Sequence, residues 1–229
     1  MDYLLVYIII TIVIIIAVCA IIYYFYNKNL KAKEKLYNNP QIQEIDDFLT
    51  PEECDTLIRM SEYKLETSQV YSSKDNLHDT SHRVSEQAWL KSIDSEIVKR
   101  ISDRVAKHSG YPIDNQEDLQ VVKYKPGGFF NPHNDACDGD ADFCKRMNSK
   151  SGPRYATYLI YLNDDFTGGE TVFTKMNVTV KPKKGKCVKF YSTNKNESLI
   201  KNSEHAGHPV TSGNKWICNV WIRHKRFIG

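Results

Sequence analysis

The chain reads as an α+β protein: a double-stranded β-helix (jelly roll) with N-terminal supporting helices, preceded by one transmembrane helix. Three observations predict this. An uninterrupted apolar stretch opens the chain, two helical patterns follow, and from about residue 119 the hydrophobic period shortens to that of strands, punctuated by Gly, Pro and Asn. About eight short strands after two helices suit an α+β chain, and a double-sheet jelly roll answers the problem of exposed strand edges. The 229 residues divide into a signal-anchor at 1–26, a polar tether at 27–41 and one domain at 42–229. That domain is long enough for a sizeable core.

No charged residue occurs from Tyr3 to Tyr26, and Leu4 to Ile22 is nearly all Ile, Val, Leu, Ala and Cys. A helix of that length rises roughly 35 Å, enough for a ~30 Å hydrocarbon layer. Tyr3 and Tyr7 at one end, and Tyr23, Tyr24 and Tyr26 at the other, suit the two interfaces. A cleaved signal peptide is the alternative, with Val18-Cys19-Ala20 as a small-residue cleavage site. The missing positive charge before the run, and the run's length, favour an uncleaved anchor. Lys28, Lys31, Lys33 and Lys35 follow the span and, taken alone, place the domain in the cytosol. Two sequons, Asn177-Val-Thr179 and Asn196-Glu-Ser198, lean towards a lumenal domain.

Thr50-Pro51-Glu52-Glu53 is a helix start, with Thr50 as N-cap, Pro51 at the first position and Glu53 closing a capping box. Cys54, Leu57 and Ile58 give that helix an apolar stripe. Residues 66–86 are polar and carry no clear period. His78 and His82, four apart there, lack a third ligand at helical spacing and are not assigned as a metal pair. Ile93, Ile97, Ile101 and Val105 mark a second helix, ended by Gly110 and Pro112. Strands are expected at Leu119–Tyr124, Phe129–Asp135, Arg154–Leu162, Glu170–Phe173, Val178–Val180, Lys186–Tyr191, Glu204–Val210 and Lys215–Arg223, with a polar loop over 136–153.

The formal charge of +3 is small and the lysines are spread, so composition makes no case for nucleic acid. Of six cysteines, Cys19 lies in the leader, and no Cys-x-x-Cys occurs, which argues against a zinc module. Cys137 and Cys144 bracket the polar loop. They would close a small disulfide in an oxidising compartment and stay free thiols otherwise.

The chemistry concentrates in Asn131-Pro132-His133-Asn134-Asp135. In an extended chain residues i and i+2 point to one face, so His133 and Asp135 can reach one ion. His-x-Asp is weak evidence alone; His205 downstream supplies a third ligand and Lys215 follows ten residues later. Two His and one carboxylate form the facial triad that holds non-haem Fe(II) with open positions. A lysine beside it is a point cation suited to a carboxylate.

Taken in order, these blocks resemble the prolyl 4-hydroxylases, a branch of the 2-oxoglutarate- and Fe(II)-dependent dioxygenases. The likeness runs from Leu119–Tyr124 through Pro126-Gly127 to Pro132–Asp135, then Arg154–Asp164 and Gly168–Phe173. It continues through Pro182–Gly185 to His205–Val210, Lys215-Trp216-Ile217 and Trp221-Ile222-Arg223, and it includes Thr50–Cys54 and Arg83-Val84-Ser85. The resemblance implies that His133, Asp135 and His205 ligate iron, and that Lys215, Tyr124 and Thr171 bind the distal carboxylate of 2-oxoglutarate. Arg154 and Trp221 would meet a proline-rich or collagen-like peptide. It further implies hydroxylation of peptidyl proline with release of succinate and carbon dioxide, and rescue of oxidised iron by L-ascorbate. The family's habits favour a single-pass membrane protein with its domain in the endoplasmic reticulum lumen, and similar short anchored hydroxylases occur in large DNA viruses. Phe130, Asn134 and His208 depart from many relatives near the substrate mouth, which bears on peptide choice rather than on the metal. The rival readings are a same-fold dioxygenase for another residue or a small molecule, and a non-catalytic membrane-tethered binding module.

Overall fold

The computed structural model describes residues 3–37, 39–68, 81–93, 95–137 and 142–228, so His78 lies outside the described residues. The chain forms two compact units, Met1–Asn38 and Asn39–Gly229. The first is a single helix, α1 (Tyr3–Tyr37). Its segment Ile9–Lys28 has a mean hydropathy of 2.7 and is long and apolar enough to be a candidate membrane span. The helix runs on through most of the stretch read as a tether, where Lys, Leu, Ala and Glu are good helix formers.

In the second unit, α2 (Pro51–Glu62) opens on the expected capping box. Glu53 N–H donates to Thr50 Oγ1 at 3.2 Å, and Thr50 N–H donates to Glu53 Oε2 at 3.0 Å. Arg104 of α3 (Glu96–Ser109) grips the same carboxylate with two bonds of 2.7 and 2.8 Å, clamping the two helices together. Burial would raise the Glu53 carboxyl, but Arg104 and the Thr50 N–H outweigh it and hold it below its usual range. The second helix starts later than its Ile pattern predicts. Ser95 caps it by accepting from Ile97 N–H, Ile93 lies outside and is 88% exposed, and the buried stripe is Val98, Ile101 and Val105. Ile93 extended the four-residue repeat by chance, whereas the cap sets the boundary. Gly110, at φ 74°, ends α3 in the left-handed region.

The described residues form fourteen strands, in chain order β1 (Gln43–Ile45), β2 (Glu66–Thr67), β3 (Arg83–Val84), β4 (Glu86–Leu90), β5 (Leu119–Tyr124), β6 (Phe129–His133), β7 (Arg154–Tyr161), β8 (Thr167–Gly168), β9 (Thr171–Phe173), β10 (Val178–Val180), β11 (Cys187–Tyr191), β12 (His205–Gly207), β13 (Val210–Ser212) and β14 (Lys215–Arg223). They build a seven-stranded sheet in the order β1-β11-β7-β14-β5-β4-β2, a five-stranded sheet β10-β9-β12-β6-β3, and a small pair β13-β8. The paired strands are antiparallel.

Several boundaries differ from the sequence reading. β2, β3 and β4 arise in or beside the stretch that showed no period, being too short for one to show. The loop after Asp135 contains α4 (Asp142–Asn148), a helix too short to show a period. The strand expected over 129–135 stops at His133, leaving Asp135 in the following turn, and the strand expected over 204–210 divides into β12 and β13.

Alternation sorts the large sheet into two faces. Leu119 and Val121 of β5, Tyr158 and Ile160 of β7, and Trp216, Cys218, Val220 and Ile222 of β14 pack in one core cluster with Leu57, Val98, Ile101 and Val105 of the helices. Val122, Tyr124, Leu159, Tyr161 and Ile217 turn the other way and meet Phe173 and Val180 of the small sheet in a second cluster. The polar residues of that inner face, among them Gln120, Thr157, Lys215 and Asn219, are buried with it.

Candidate active site

His133 at the end of β6 stands directly across from His205 at the start of β12, so strand pairing alone brings the two imidazoles to a centroid separation of 4.3 Å. Asp135 closes the group: its Oδ1 is 3.7 Å from His133 Nε2 and its Oδ2 is 3.9 Å from His205 Nε2. One potential ligand atom from each residue lies within 4.8 Å of the others, and among the described residues this is the group of His, Cys, Asp and Glu side chains able to hold a metal ion.

The hydrogen bonds around the group suit a cation. His133 Nδ1 lies 2.8 Å from the Asn131 carbonyl and His205 Nδ1 lies 3.0 Å from the Ser203 carbonyl. A carbonyl only accepts, so each Nδ1 carries a proton, and each Nε2 is the ring atom left to face a metal. Burial and the neighbouring His205 drive the His133 imidazole down to about 3, so it is neutral at ordinary pH. Burial would raise the Asp135 carboxyl, but His205, His133, Arg154 and a bond from Thr157 outweigh it and hold it at about 2. The donor set of two imidazoles and one carboxylate fits a non-haem ferrous ion. Phe130 stacks on His133 at 3.5 Å, and Phe190 and Phe173 wall His205 at 4.8 and 5.6 Å.

A narrow cavity runs inward from the group between the sheets and ends at Lys215. Lys215 is 1% exposed, and its Nζ donates to the Gly169 carbonyl at 2.6 Å. Gly169 has φ +69°, and a Cβ there would come within 3.0 Å of Lys215 Cδ, so glycine permits this approach. An ammonium has three donors, which leaves two for a ligand. Burial pushes its pKa down to about 7. Tyr124 and Tyr161 turn their ring faces to the ammonium, with centroids at 5.1 and 5.6 Å. Thr171 lines the same end and accepts a 2.6 Å bond from Tyr161 hydroxyl, which leaves its own hydrogen free to point into the cavity. The structure therefore gathers Lys215, Tyr124 and Thr171 at one end of the cavity and His133, Asp135 and His205 at the other.

Outward, the cavity meets a recess of about 370 Å³ lined by Trp89, Phe130, Pro132, Met147, Arg154 and Trp221 among others. Arg154 lies 3.5 Å over the Trp221 ring and bonds Glu117 twice, at 2.7 and 2.8 Å, while Arg223 donates to the same carboxylate at 2.8 Å. Burial would raise Glu117, yet Arg154 and Arg223 hold it low. The Trp221 indole N–H is buried without a partner among the described residues. His208, three residues beyond His205, is a half-exposed side chain 4.0 Å from Glu170 and is not part of the group.

Sequence reasoning did not single out Tyr161, Thr157, Arg83, Gln120 or Asn219, all buried polar or hydroxyl-bearing residues around these spaces. Their one signal was polarity or a hydroxyl at inward positions of otherwise apolar strands. Gln120 and Asn219 form an amide ladder with Gln87, through bonds of 2.7 and 3.2 Å.

Residues 119–223 match the model of the 2OG-Fe(II) oxygenase superfamily. The chain is 38% identical to the candidate prolyl 4-hydroxylase of Acanthamoeba polyphaga mimivirus, over 83% of this chain and 76% of that protein. It is 34% identical to the Gallus gallus prolyl 4-hydroxylase subunit alpha-1 over 89% of this chain, but spans 40% of that subunit's length. The viral collagen prolyl hydroxylase of Paramecium Bursaria Chlorella virus-1, solved with 2OG, superposes with a TM-score of 0.63 at 34% identity, covering 80% of this chain and 95% of that one.

Proposed function

This chain belongs to the prolyl 4-hydroxylase family of 2OG-Fe(II) oxygenases, and we propose that it hydroxylates C4 of a peptidyl proline, consuming 2-oxoglutarate and oxygen and releasing succinate and carbon dioxide. The observation that carries this reading is one cavity with a ligand triad at its mouth end and an ammonium buried at its closed end. Ferrous iron, when bound, supplies the oxygen activation that hydroxylation of an unactivated carbon needs. His133, Asp135 and His205 would hold it. Lys215, Tyr124 and Thr171 would seat the distal carboxylate of 2-oxoglutarate through charge-assisted bonds. Tyr161 orients Thr171 by donating to it. Leu159 and Ile217 wall the cavity between the two ends with apolar surface that limits water.

The outer recess suits an extended peptide better than a small molecule. It is far wider than the inner cavity, and its aromatic lining suits a proline-rich segment in the polyproline II form. Arg154, stacked on Trp221 at the edge of this recess, would meet the peptide there. A collagen-like or other proline-rich protein is the substrate class we assign, with L-ascorbate returning oxidised iron to the ferrous state. Changing His133 or Asp135 to Ala is expected to abolish iron-dependent succinate formation and proline hydroxylation of a Pro-rich peptide, read by mass spectrometry. Turnover like that of the unaltered protein in either variant would remove the assignment.

We read α1 as a signal-anchor that keeps the domain in the endoplasmic reticulum lumen. The Cys137–Cys144 disulfide supports an oxidising compartment. Asn177 and Asn196 are both exposed, and the Ser198 hydroxyl donates to Asn196 Oδ1 at 2.8 Å, an open turn that a glycosylating enzyme could reach. Expression in a eukaryotic secretory system should yield a glycosidase-sensitive mass that Asn177→Gln with Asn196→Gln removes. An unglycosylated, protease-accessible domain on intact microsomes would reverse the orientation.

A further inference from the structure

We propose that Thr157 is a positioning residue of the metal centre: its hydroxyl holds one oxygen of Asp135, so that the carboxylate meets the cation in a single pose. The proposal rests on the reading of His133, Asp135 and His205 as metal ligands.

The three ligands are not held alike. His133 and His205 sit on paired strands, and each ring is fixed by a backbone carbonyl two residues away, at Asn131 and Ser203. Asp135 lies beyond the end of β6, where no ladder bond fixes it. What reaches it is Thr157, from the middle of β7 in the opposite sheet. Thr157 Oγ1 donates to Asp135 Oδ2 at 2.5 Å. That threonine is 1% exposed, and its backbone is paired on both sides, with Phe190 of β11 and Trp221 of β14. Ser192, fully buried, places its hydroxyl 3.5 Å from Thr157 Oγ1 and anchors its own N–H on the Tyr155 carbonyl. The loop ligand is thereby tied to a strand paired on both sides within the large sheet.

The bond also distinguishes the two carboxylate oxygens. An ionised carboxylate only accepts, so the threonine must donate. With Oδ2 sharing a lone pair with the hydroxyl, Oδ1 would be the freer oxygen for a metal, and a carboxylate held in one pose would present it the same way each time. Outer partners of this kind typically change metal affinity by about 10–100-fold. Valine at position 157 keeps the branched shape and removes the donor, whereas serine keeps the donor and removes a methyl.

The test is titration of the metal-stripped full-length chain, held in detergent, with Mn(II), the free ion being followed by electron paramagnetic resonance. We expect Thr157→Val to raise the Mn(II) Kd about tenfold or more, and Thr157→Ser to bind nearly as tightly as the unaltered chain. Thr157→Ala, which lacks the donor without adding bulk, gives the same contrast with serine if the valine variant does not fold. A Kd in Thr157→Val or Thr157→Ala equal to that of the unaltered chain, or a serine variant as weak as valine, would overturn the proposal. Asp135→Ala separates the two levels: if it binds Mn(II) as the unaltered chain does, the metal-site reading itself fails.

Discussion

Replacing Lys215 by methionine should stabilise the empty domain while removing its grip on 2-oxoglutarate. Lys215 is 1% exposed, and burial lowers its pKa from 10.5 to about 7. Each pKa unit is worth ~1.4 kcal/mol, so carrying the charge inside costs on the order of 4–5 kcal/mol when the site is empty. The folded pKa lies below the unfolded one, so the unfolded chain binds more protons between pH 7 and pH 10.5 and stability rises with pH across that window. Below about pH 7 both states are protonated and the full cost is present. Methionine fills a similar volume without charge. Its advantage over lysine should therefore be greatest at pH 6 and smaller by roughly 2 kcal/mol at pH 8.5. Urea unfolding of the globular unit at the two pH values measures this, because other titrating groups cancel between variant and parent. Saturating 2-oxoglutarate should then stabilise the lysine protein, by ~2.7 kcal/mol at a hundred times Kd, and leave the methionine protein unmoved. A methionine variant less stable at pH 6, or a gap that does not change with pH, would show that Lys215 is not a buried charge waiting for an anion.

Removing the Tyr161 hydroxyl with Tyr161→Phe frees the Thr171 hydroxyl from its 2.6 Å donor. One lost hydrogen bond is worth ~1 kcal/mol, so the KM for 2-oxoglutarate should rise about fivefold with kcat little changed; an unchanged KM would place Thr171 outside the pocket's work. Glu117 is held below its ordinary value by Arg154 and Arg223, so its contribution to stability is present above about pH 4.5 and falls away as pH drops through the lowered value. Glu117→Gln, which leaves two guanidiniums without their carboxylate, should cost ~3–5 kcal/mol at pH 7 and less at pH 3; an equal cost at both pH values in urea melts would contradict this pairing.

Local pattern carried far into this molecule. The capping box at Thr50 and Glu53 was legible because all its partners lie within one turn. The strand Lys215–Arg223 was legible because β-branched and aromatic residues crowd it. Ile93 misled because a repeat can continue past a helix start that only the cap decides. α4 and the strands near Arg83 stayed hidden, being too short for any period to show.

The amino-acid order alone therefore determined which residue types could bind a metal and a dicarboxylate. It could not decide who supports them. Thr157 meets Asp135 from the opposite sheet, Tyr161 of the large sheet reaches Thr171 of the small one, and Glu117 collects Arg154 and Arg223 from two strands far apart in sequence but paired side by side. Such contacts depend on how twisted sheets pack on one another, a property of the whole core that no local period encodes.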